Sequence, residues 1–402
     1  MIVSQGGRYA CGEASVNLLE LAGLRISGQH VMRLTERFGA VAAAERDREV
    51  EQFKEGKLAR TYTQAPKTAA VMMDGGRLQT RGDPSGPGVE NPQWKEPKYA
   101  CLLTLDSKQS ATDPQPDPPT KFVDPERTPK LVREVQAAHG VALTRESVTD
   151  KAGKNSVAEK SVRKKKKKSR KHKRHLVRTV LGTMERSEVF GYLVAAECHR
   201  RGLDLAQYKA CVCDGQKANW GVWETHFKAL GFIAVLDFLH LLTYIYAAAC
   251  AAGGTSDEKW ARHVEWTTWA WQGRRDKLLT AVNGAVENAG VIPEDAAEND
   301  PRRALTKTQT YLLNNTDKMD YPRYRRLGLP VSSAPVESVI KQFNRRVKGT
   351  EKFWRPKAAE SVLQIRAAQL CADGRADRLW NMPRNCRAAH NAPLKSYRAK
   401  TG

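Results

Sequence analysis

The chain has 402 residues, in which 67 lysines and arginines outnumber 44 aspartates and glutamates, giving a formal net charge of +23. This balance excludes an acidic, solvating chain and favours a polyanionic partner. Hydrophobic residues make up 41% of the chain and nine residues are tryptophan, which excludes a globally disordered protein. At about 100 to 200 residues per domain, we expect two or three domains.

The N-terminal region, residues 1–62, predicts two helices joined by a short turn. The helices are expected at residues 13–24 and 29–55, with Ser27 as the N-cap of the second. The apolar positions that would pack them together are Leu18, Leu21, Ile26, Val31, Leu34 and Phe38. This spacing fits a helix-turn-helix that reads DNA, and it also fits an ordinary helical hairpin.

Beyond residue 69, short apolar runs alternate with helical segments. Strands are predicted at residues 69–73, 99–105, 176–183, 209–213 and 232–236. Helices are predicted at residues 188–201 and 219–230, and this alternation indicates a mixed α/β sheet. Residues 239–290 are predicted to be helical throughout, as an insertion into the sheet domain. Its four tryptophans are expected to lie in a core: Trp260, Trp266, Trp269 and Trp271.

Three segments are predicted to be loops. Residues 82–97 and 106–130 are rich in proline, aspartate and other turn formers, which resist helix and strand. Residues 127–178, which include the third segment at residues 150–175, carry a net +14 of the +23, and ten of the 15 residues in SVRKKKKKSRKHKRH (161–175) are lysine or arginine. Such a run repels itself and forms no core, so we expect a flexible basic loop that attracts phosphates without sequence preference.

Membrane insertion and thiolate metal binding are both disfavoured. The apolar segment 229–253 is long enough to span a bilayer, but Asp237 would lie near its middle at a cost of roughly 2.5 to 3.5 kcal/mol, and His240 adds to it. The eight cysteines are scattered and include no C-x-x-C pair, so neither a disulfide framework nor a cysteine zinc site is indicated. We expect a cytoplasmic protein without a membrane partner.

Three of the apolar strands end in an aspartate: Asp74, Asp214 and Asp237. A carboxylate at the end of a buried strand lies at the rim of the sheet, where ligands enter. Taken singly, Asp74 or Asp214 fits an Asp-Gly turn at least as well.

A fourth acid, Glu337, lies on a predicted helix that follows the loop GLPVSSAP (328–335). Pro335 suits the first helical turn, and Ser333 is a candidate cap. The helix has one apolar face, formed by Val336, Val339, Ile340, Phe343 and Val347. Its polar stripe contains Glu337, Lys341, Asn344 and Lys348. This stripe fits either a solvated face or a carboxylate facing a metal, followed by groups that face a phosphate backbone.

Several runs together resemble bacterial insertion-sequence transposases of the Kra group, which are related to Mutator-like elements. They are VMMDGGRLQTR (71–81), LVRTVLGTMERSEVFGYLVAAECHRRG (176–202), CDGQKANWGVWETHF (213–227), DFLH (237–240) and LGLPVSSAPVESVIKQFNRRVKGTEKFW (327–354). LAGLRISGQHVMRLTERFG, near the N-terminus, is similar more weakly. Family members can also extend further upstream than Met1.

The resemblance implies an RNase H-like, retroviral-integrase-like α/β fold with a catalytic Asp/Asp/Glu triad at Asp74, Asp214 and Glu337. It implies a core formed by residues 63–238 and 326–356, interrupted by an all-helical insertion at residues 239–325 and followed by a C-terminal helical tail at residues 357–402. Asp237 and His240 match the [C/D]-x-x-H signature of Mutator-like relatives. They are expected either to support the site or orient DNA, or to form a buried, satisfied pair.

The implied reaction is metal-dependent cleavage of the element ends, followed by strand transfer of the released 3′-hydroxyl into target DNA. Two Mg²⁺ or Mn²⁺ ions, about 3.5 to 4 Å apart, suit a site of carboxylates. By analogy Asp74 is shared between the ions, while Asp214 and Glu337 each complete one shell.

The expected partner is double-stranded DNA, as terminal repeats and as target, bound by a homo-oligomer in a bacterial cytoplasm, near the nucleoid. The residues expected to contact it are Lys164, Lys165, Lys166, Lys167, Lys168, Arg170, Lys171, Lys341, Asn344, Arg345 and Lys348.

One turn departs from the family pattern. Relatives usually carry a Gly-Ser-Gly-like turn before the glutamate, whereas this chain has Ser332, Ser333 and Ala334, whose side chains narrow the allowed backbone angles. An RNase H-like nuclease and an inactive transposase that acts only as a basic DNA-binding protein therefore stay open as alternatives.

Overall fold

The computed structural model describes residues 1–61, 64–86, 89–139, 174–349 and 352–380. Contacts divide the chain into two compact units. The first combines Met1–Gln115, His175–Leu241 and Asp317–Gly402, and the second combines Pro116–Arg174 and Leu242–Thr316. The N-terminal helices and the sheet thus belong to one unit, while the predicted functional domains stay predictions.

A five-stranded sheet forms the centre of the first unit. Its strands are β1 (Thr68–Gly75), β4 (Lys98–Asp106), β5 (Arg174–Thr183), β6 (Tyr208–Cys213) and β7 (Ile233–Leu236). The order is β5-β4-β1-β6-β7, in which β1 is antiparallel to β4 and parallel to β6, and β6 is parallel to β7. Because β1 is central and covered on both faces, nearly all its residues are buried. The prediction of a mixed α/β sheet is confirmed.

A hairpin between β1 and β4 corrects the prediction of a loop at residues 82–97. Strands β2 (Leu78–Gly86) and β3 (Val89–Lys95) pair antiparallel as a separate two-stranded sheet, with register shifts at Pro84. Trp354 bridges the outer edge of β2 at Thr80, whereas Pro84 lies beyond that bridge at a register shift, where a proline removes no obligatory ladder hydrogen bond. The proline-rich composition therefore did not prevent strand formation.

Helices surround the sheet in the first unit. Their bounds are α1 (Ile2–Arg8), α2 (Cys11–Ala22), α3 (Gly28–Lys54), α5 (Ser187–Arg200), α6 (Lys217–His226), α11 (Tyr321–Arg326), α12 (Ala334–Val347), α13 (Pro356–Leu370) and α14 (Arg375–Trp380). Ser27 caps α3 as predicted, accepting a hydrogen bond from the His30 amide at 3.2 Å. Leu18 and Val31 pack between α2 and α3, but Leu21 is 80% exposed, so its predicted packing role is wrong.

The second unit is helical in its described part. It contains α4 (Arg127–His139), α8 (Ser256–Trp271), α9 (Arg275–Ala289), α10 (Pro301–Asn315) and most of α7, which spans Phe238–Ala251 and begins in the first unit. Trp266 and Trp271 are buried, as predicted, whereas Trp260 and Trp269 are half-buried. The predicted loop at residues 106–130 holds one short 3-10 turn and the first turn of α4.

No helix in the described ranges is both long and apolar enough to cross a bilayer.

Candidate active site

Three aspartates lie at the carboxyl ends of adjacent strands, at the same edge of the sheet; Asp74 is the second-last residue of β1. Met73 of β1 pairs with Cys213 of β6, and Cys213 pairs with Leu236 of β7. Asp74 is therefore level with Asp214, the residue after β6, and Asp237 is the residue after β7. Neighbouring strands lie about 4.8 Å apart, so the parallel register alone brings the three carboxylates to one rim.

Asp74 and Asp214 form a buried pair of like charges. Asp74 is 2% exposed, and its Oδ1 accepts a hydrogen bond from the Gly75 amide at 2.7 Å. Asp214 Oδ1 accepts from the Gln216 amide at 3.1 Å and from Asn219 Nδ2 at 3.0 Å. Burial, and then the charge of Asp214, hold the pKa of Asp74 well above its ordinary value. The pair therefore favours any cation that enters.

Asp237 instead has a complete set of hydrogen bonds. Its Oδ1 accepts from the backbone amides of Leu239, at 3.0 Å, and Ser333, at 3.1 Å. Its Oδ2 accepts from His240 Nδ1, at 2.8 Å, and from Ser333 Oγ, at 2.6 Å. Burial would raise the pKa of Asp237, but these bonds, above all the one from His240, lower it. Asp237 therefore joins β7 and α7 to the loop that precedes α12.

His240 is a buried cation beside the acids. Burial alone would lower its pKa, but the hydrogen bond and charge of Asp237, with the charges of Asp214 and Asp74, raise the pKa to about 9. At neutral pH the ring carries a proton on each nitrogen. It therefore offsets part of the negative charge at the rim.

The turn before α12 corrects one prediction. Ser333 occupies the N-cap position, but its side chain makes no capping bond, because its hydroxyl donates to Asp237 instead. Its φ of −83° is ordinary for a residue with a side chain, so the Ser-Ser-Ala sequence imposes no left-handed strain at this position. The predicted placement of Pro335 in the first helical turn is confirmed.

Glu337 lies on the first turn of α12 and points a buried oxygen at the rim. Its Oε1 has no hydrogen-bond partner among the described residues. Burial, and then the charge of Asp237, raise the pKa of Glu337, while His240 and Lys341 oppose the shift. Its charge also acts on Asp74. Acids from separate parts of the chain thus interact at one place.

The apolar face of α12 is buried as predicted, and its polar face varies in exposure. Lys341 and Arg345 are exposed, whereas Asn344 and Lys348 are partly buried. The sequence reasoning missed Arg346, which is 2% exposed, donates from Nε to the Gly6 carbonyl at 2.7 Å and stacks on Trp354. Arg346 lies three residues after Phe343, on the apolar face of α12, and this spacing could have predicted that its side chain is buried.

Among the described residues, one set of side chains has its ligand atoms close enough together to hold a metal ion as it stands, and it differs from the set of Asp74, Asp214 and Glu337. Ligand atoms of Asp237, His240 and Glu337 all lie within 4.8 Å of one another. An ion held by that set would have to displace hydrogen bonds, because a carboxylate offers about four lone-pair positions and Asp237 already accepts four bonds. Because the pKa of His240 is raised to about 9, an ion bound by this set would also have to displace a proton from the His240 ring. Asp74, Asp214 and Glu337 offer oxygen ligands and excess negative charge, which suit a hard cation such as Mg²⁺.

The basic loop and two residues near the acids differ in what the structure shows of them. The predicted DNA-binding residues Lys164 to Lys168, Arg170 and Lys171 lie outside the described residues. Tyr99, which the sequence marked only as part of a strand, lies opposite Asp74 in the sheet, fully buried. Ser333 was likewise considered only as a helix cap.

Comparison with known proteins adds no family to this description: no family model matches the chain, and no curated protein matches it significantly.

Proposed function

We propose that the protein is a metal-dependent DNA transposase of the Asp/Asp/Glu type, which cleaves the ends of an insertion sequence and joins them to target DNA. The observation that carries the proposal is the convergence of Asp74, Asp214 and Glu337. Burial, and then the charges of Asp214 and Glu337, raise the pKa of Asp74, so two acids from distant parts of the sequence act on a third at this rim. A site that gathers acids in this way is suited to divalent cations.

The sheet supports an RNase H-like assignment for this core. Such a core is a mixed sheet whose central strand carries the first acid. Here β1 is central, has β4 as its antiparallel neighbour and β6 as its parallel neighbour, and carries Asp74 as its second-last residue. The helix that carries Glu337 packs its apolar face on the same unit.

The residues would divide the work as follows. Asp74 is central and would be shared between two cations, with Asp214 and Glu337 each holding one of them. Bound Mg²⁺ would activate the attacking oxygen and neutralise charge on the phosphate. Asn219 and the Gln216 amide orient the Asp214 carboxylate. Asp237 and Ser333 fix the start of α12, and His240 compensates charge near the acids.

Cations around α12 support an anionic partner. Burial, and then the charge of Arg77, lower the pKa of Lys348. Burial, and then the charges of Arg8 and Arg345, lower the pKa of Arg366. The repulsion between these positive groups would be relieved by a phosphate backbone, whose binding weakens strongly with salt. We also propose that the protein works as a homo-oligomer on DNA, because joining two ends requires both to be held together.

A cleavage assay tests the proposal. Labelled DNA carrying the two ends of the element is incubated with the protein in Mg²⁺, in Mn²⁺ and in EDTA. We expect metal-dependent cleavage at the ends that Asp214→Ala abolishes. The exposed acid Asp117 provides the matched control, because Asp117→Ala removes a carboxylate outside the site and is expected to cleave normally.

The other outcomes each identify an alternative. Binding without cleavage, equal in the wild-type protein and in Asp214→Ala, indicates a basic DNA-binding protein without catalytic activity. Metal-dependent cutting that ignores the ends and is never followed by joining indicates an RNase H-like nuclease.

A further inference from the structure

We propose that Tyr99 is a positioning residue of the metal site, whose hydroxyl donates a hydrogen bond to an oxygen ligand bound at Asp74, such as a metal-bound water or a phosphate oxygen. This inference rests on the proposed function, since it requires that cations and their oxygen ligands enter the rim beside Asp74.

The pairing of β1 with β4 places the Tyr99 ring beside Asp74. Tyr99 in β4 is directly opposite Asp74 in β1 within the antiparallel pair. Directly opposed residues share a face of the sheet, with Cβ atoms about 4.5 to 5.5 Å apart. The Tyr99 and Asp74 side chains therefore lie next to each other on the same face.

The Tyr99 hydroxyl is buried without a hydrogen-bond acceptor in the part of the chain that the structure describes. Tyr99 is 0% exposed, and its hydroxyl oxygen has no hydrogen-bond partner among the described residues. Leaving such a group unpaired is unfavourable, and buried tyrosine hydroxyls usually have a partner. Burial, and then the charge of Asp74, raise the pKa of Tyr99, so the group remains a donor at working pH. A donor without an acceptor beside an acidic rim fits an acceptor that arrives from outside.

Close packing holds the Tyr99 ring in place. The ring packs on Phe343 of α12, with centroids 4.7 Å apart. A Cβ at Gly76 would lie 2.8 Å from Tyr99 Cε2, and a Cβ at Gly182 would lie 3.1 Å from Cδ1 and 2.9 Å from Phe343 Cζ. Both distances are shorter than ordinary contacts, so glycine at these two positions makes room for the ring. The second glycine of the Asp-Gly-Gly run therefore has a packing role besides that of a turn.

The test compares Tyr99→Phe with Tyr324→Phe. Tyr324 is also buried, but its hydroxyl donates to the Ala234 carbonyl at 3.2 Å. In EDTA we expect Tyr99→Phe to unfold at a urea midpoint equal to or above that of the wild-type protein, because no internal bond is lost. Tyr324→Phe is expected to unfold at a lower midpoint. Titration with Mn²⁺ should then show binding to Tyr99→Phe about two- to tenfold weaker than to wild type, and unchanged binding to Tyr324→Phe.

Each contrary result has its own meaning. If Tyr99→Phe loses as much stability as Tyr324→Phe, its hydroxyl has an internal partner and the inference is wrong. If wild type binds Mn²⁺ and Tyr99→Phe binds it equally well, the inference fails while the proposed function stands. If wild type binds no Mn²⁺, the proposed function and the inference both fail.

Discussion

Replacing Ser333 by alanine tests how the start of α12 is held. The Ser333 hydroxyl donates to Asp237 Oδ2 at 2.6 Å, and the two residues are 1% and 0% exposed. A hydrogen bond to a charged group contributes about 1.5 to 3 kcal/mol, and Ser333→Ala changes little volume. Asp237 keeps its other three bonds, so we expect the free energy of unfolding to fall by about 2 kcal/mol, without loss of the fold.

Ser332→Ala is the matched control for this substitution. The Ser332 hydroxyl only accepts from the Ala334 amide, at 3.1 Å, in an exposed position. A change there is expected to stay within about 0.5 kcal/mol. Urea unfolding in EDTA, followed by tryptophan fluorescence, measures both variants. Equal losses in the two variants, or no loss in Ser333→Ala, would refute the role given to the Ser333–Asp237 bond.

Three further predictions concern pH and packing. Because the folded pKa of His240 is about 9, above its ordinary 6.5, its stabilisation is present below pH 6.5 and lost as the pH rises towards 9. Urea unfolding of the metal-free protein should show this decline, and His240→Gln should lack it; an unchanged slope contradicts the assignment. Burial lowers the pKa of His263 to about 4, so its stabilisation of the second unit is present above pH 6.5 and lost as the pH falls towards 4. This loss of stability at low pH should be absent in His263→Gln, and a loss that persists in the variant would show that another group causes it. A Cβ on Gly39 would lie 2.2 Å from the Ser361 carbonyl oxygen, so Gly39→Ala should lower the free energy of unfolding by about 1 to 3 kcal/mol. Gly221→Ala, in α6 with nothing within 4 Å, should be neutral or stabilising by up to about 1 kcal/mol when both variants are unfolded in urea, and equal effects of the two substitutions would refute the packing argument.

The sequence predicted the elements whose pattern is local. Strands β1, β4 and β6 are short apolar runs bounded by turn formers, and each was predicted within one or two residues of its ends. The aspartates at the carboxyl ends of β1, β6 and β7 were predicted to lie at a sheet rim, and the parallel register places them there. The hairpin of β2 and β3 was missed because its prolines indicate a loop unless they lie at an edge or a register shift.

Interactions between distant residues were less accessible. Ser333 carries a strong local signal for a helix cap, and only the folded chain brings Asp237 close enough to compete for its hydroxyl. Tyr99 reads as one more apolar residue of a strand, because its opposition to Asp74 depends on the register of β1 and β4. Neither contact can be predicted from local sequence propensity, because each joins residues that are distant in the chain.

The number of Mn²⁺ ions that the protein binds distinguishes the site of Asp74, Asp214 and Glu337 from the set of Asp237, His240 and Glu337. Titration of the purified protein, followed by the electron paramagnetic resonance of free Mn²⁺, measures the number of sites in wild type, Asp214→Asn and Asp237→Asn. We expect the wild-type protein to bind about two ions. Asp214→Asn should lose at least one of them, and Asp237→Asn should bind the full number. Full binding by Asp214→Asn together with loss in Asp237→Asn would contradict it, since the ions would then be held by Asp237, His240 and Glu337.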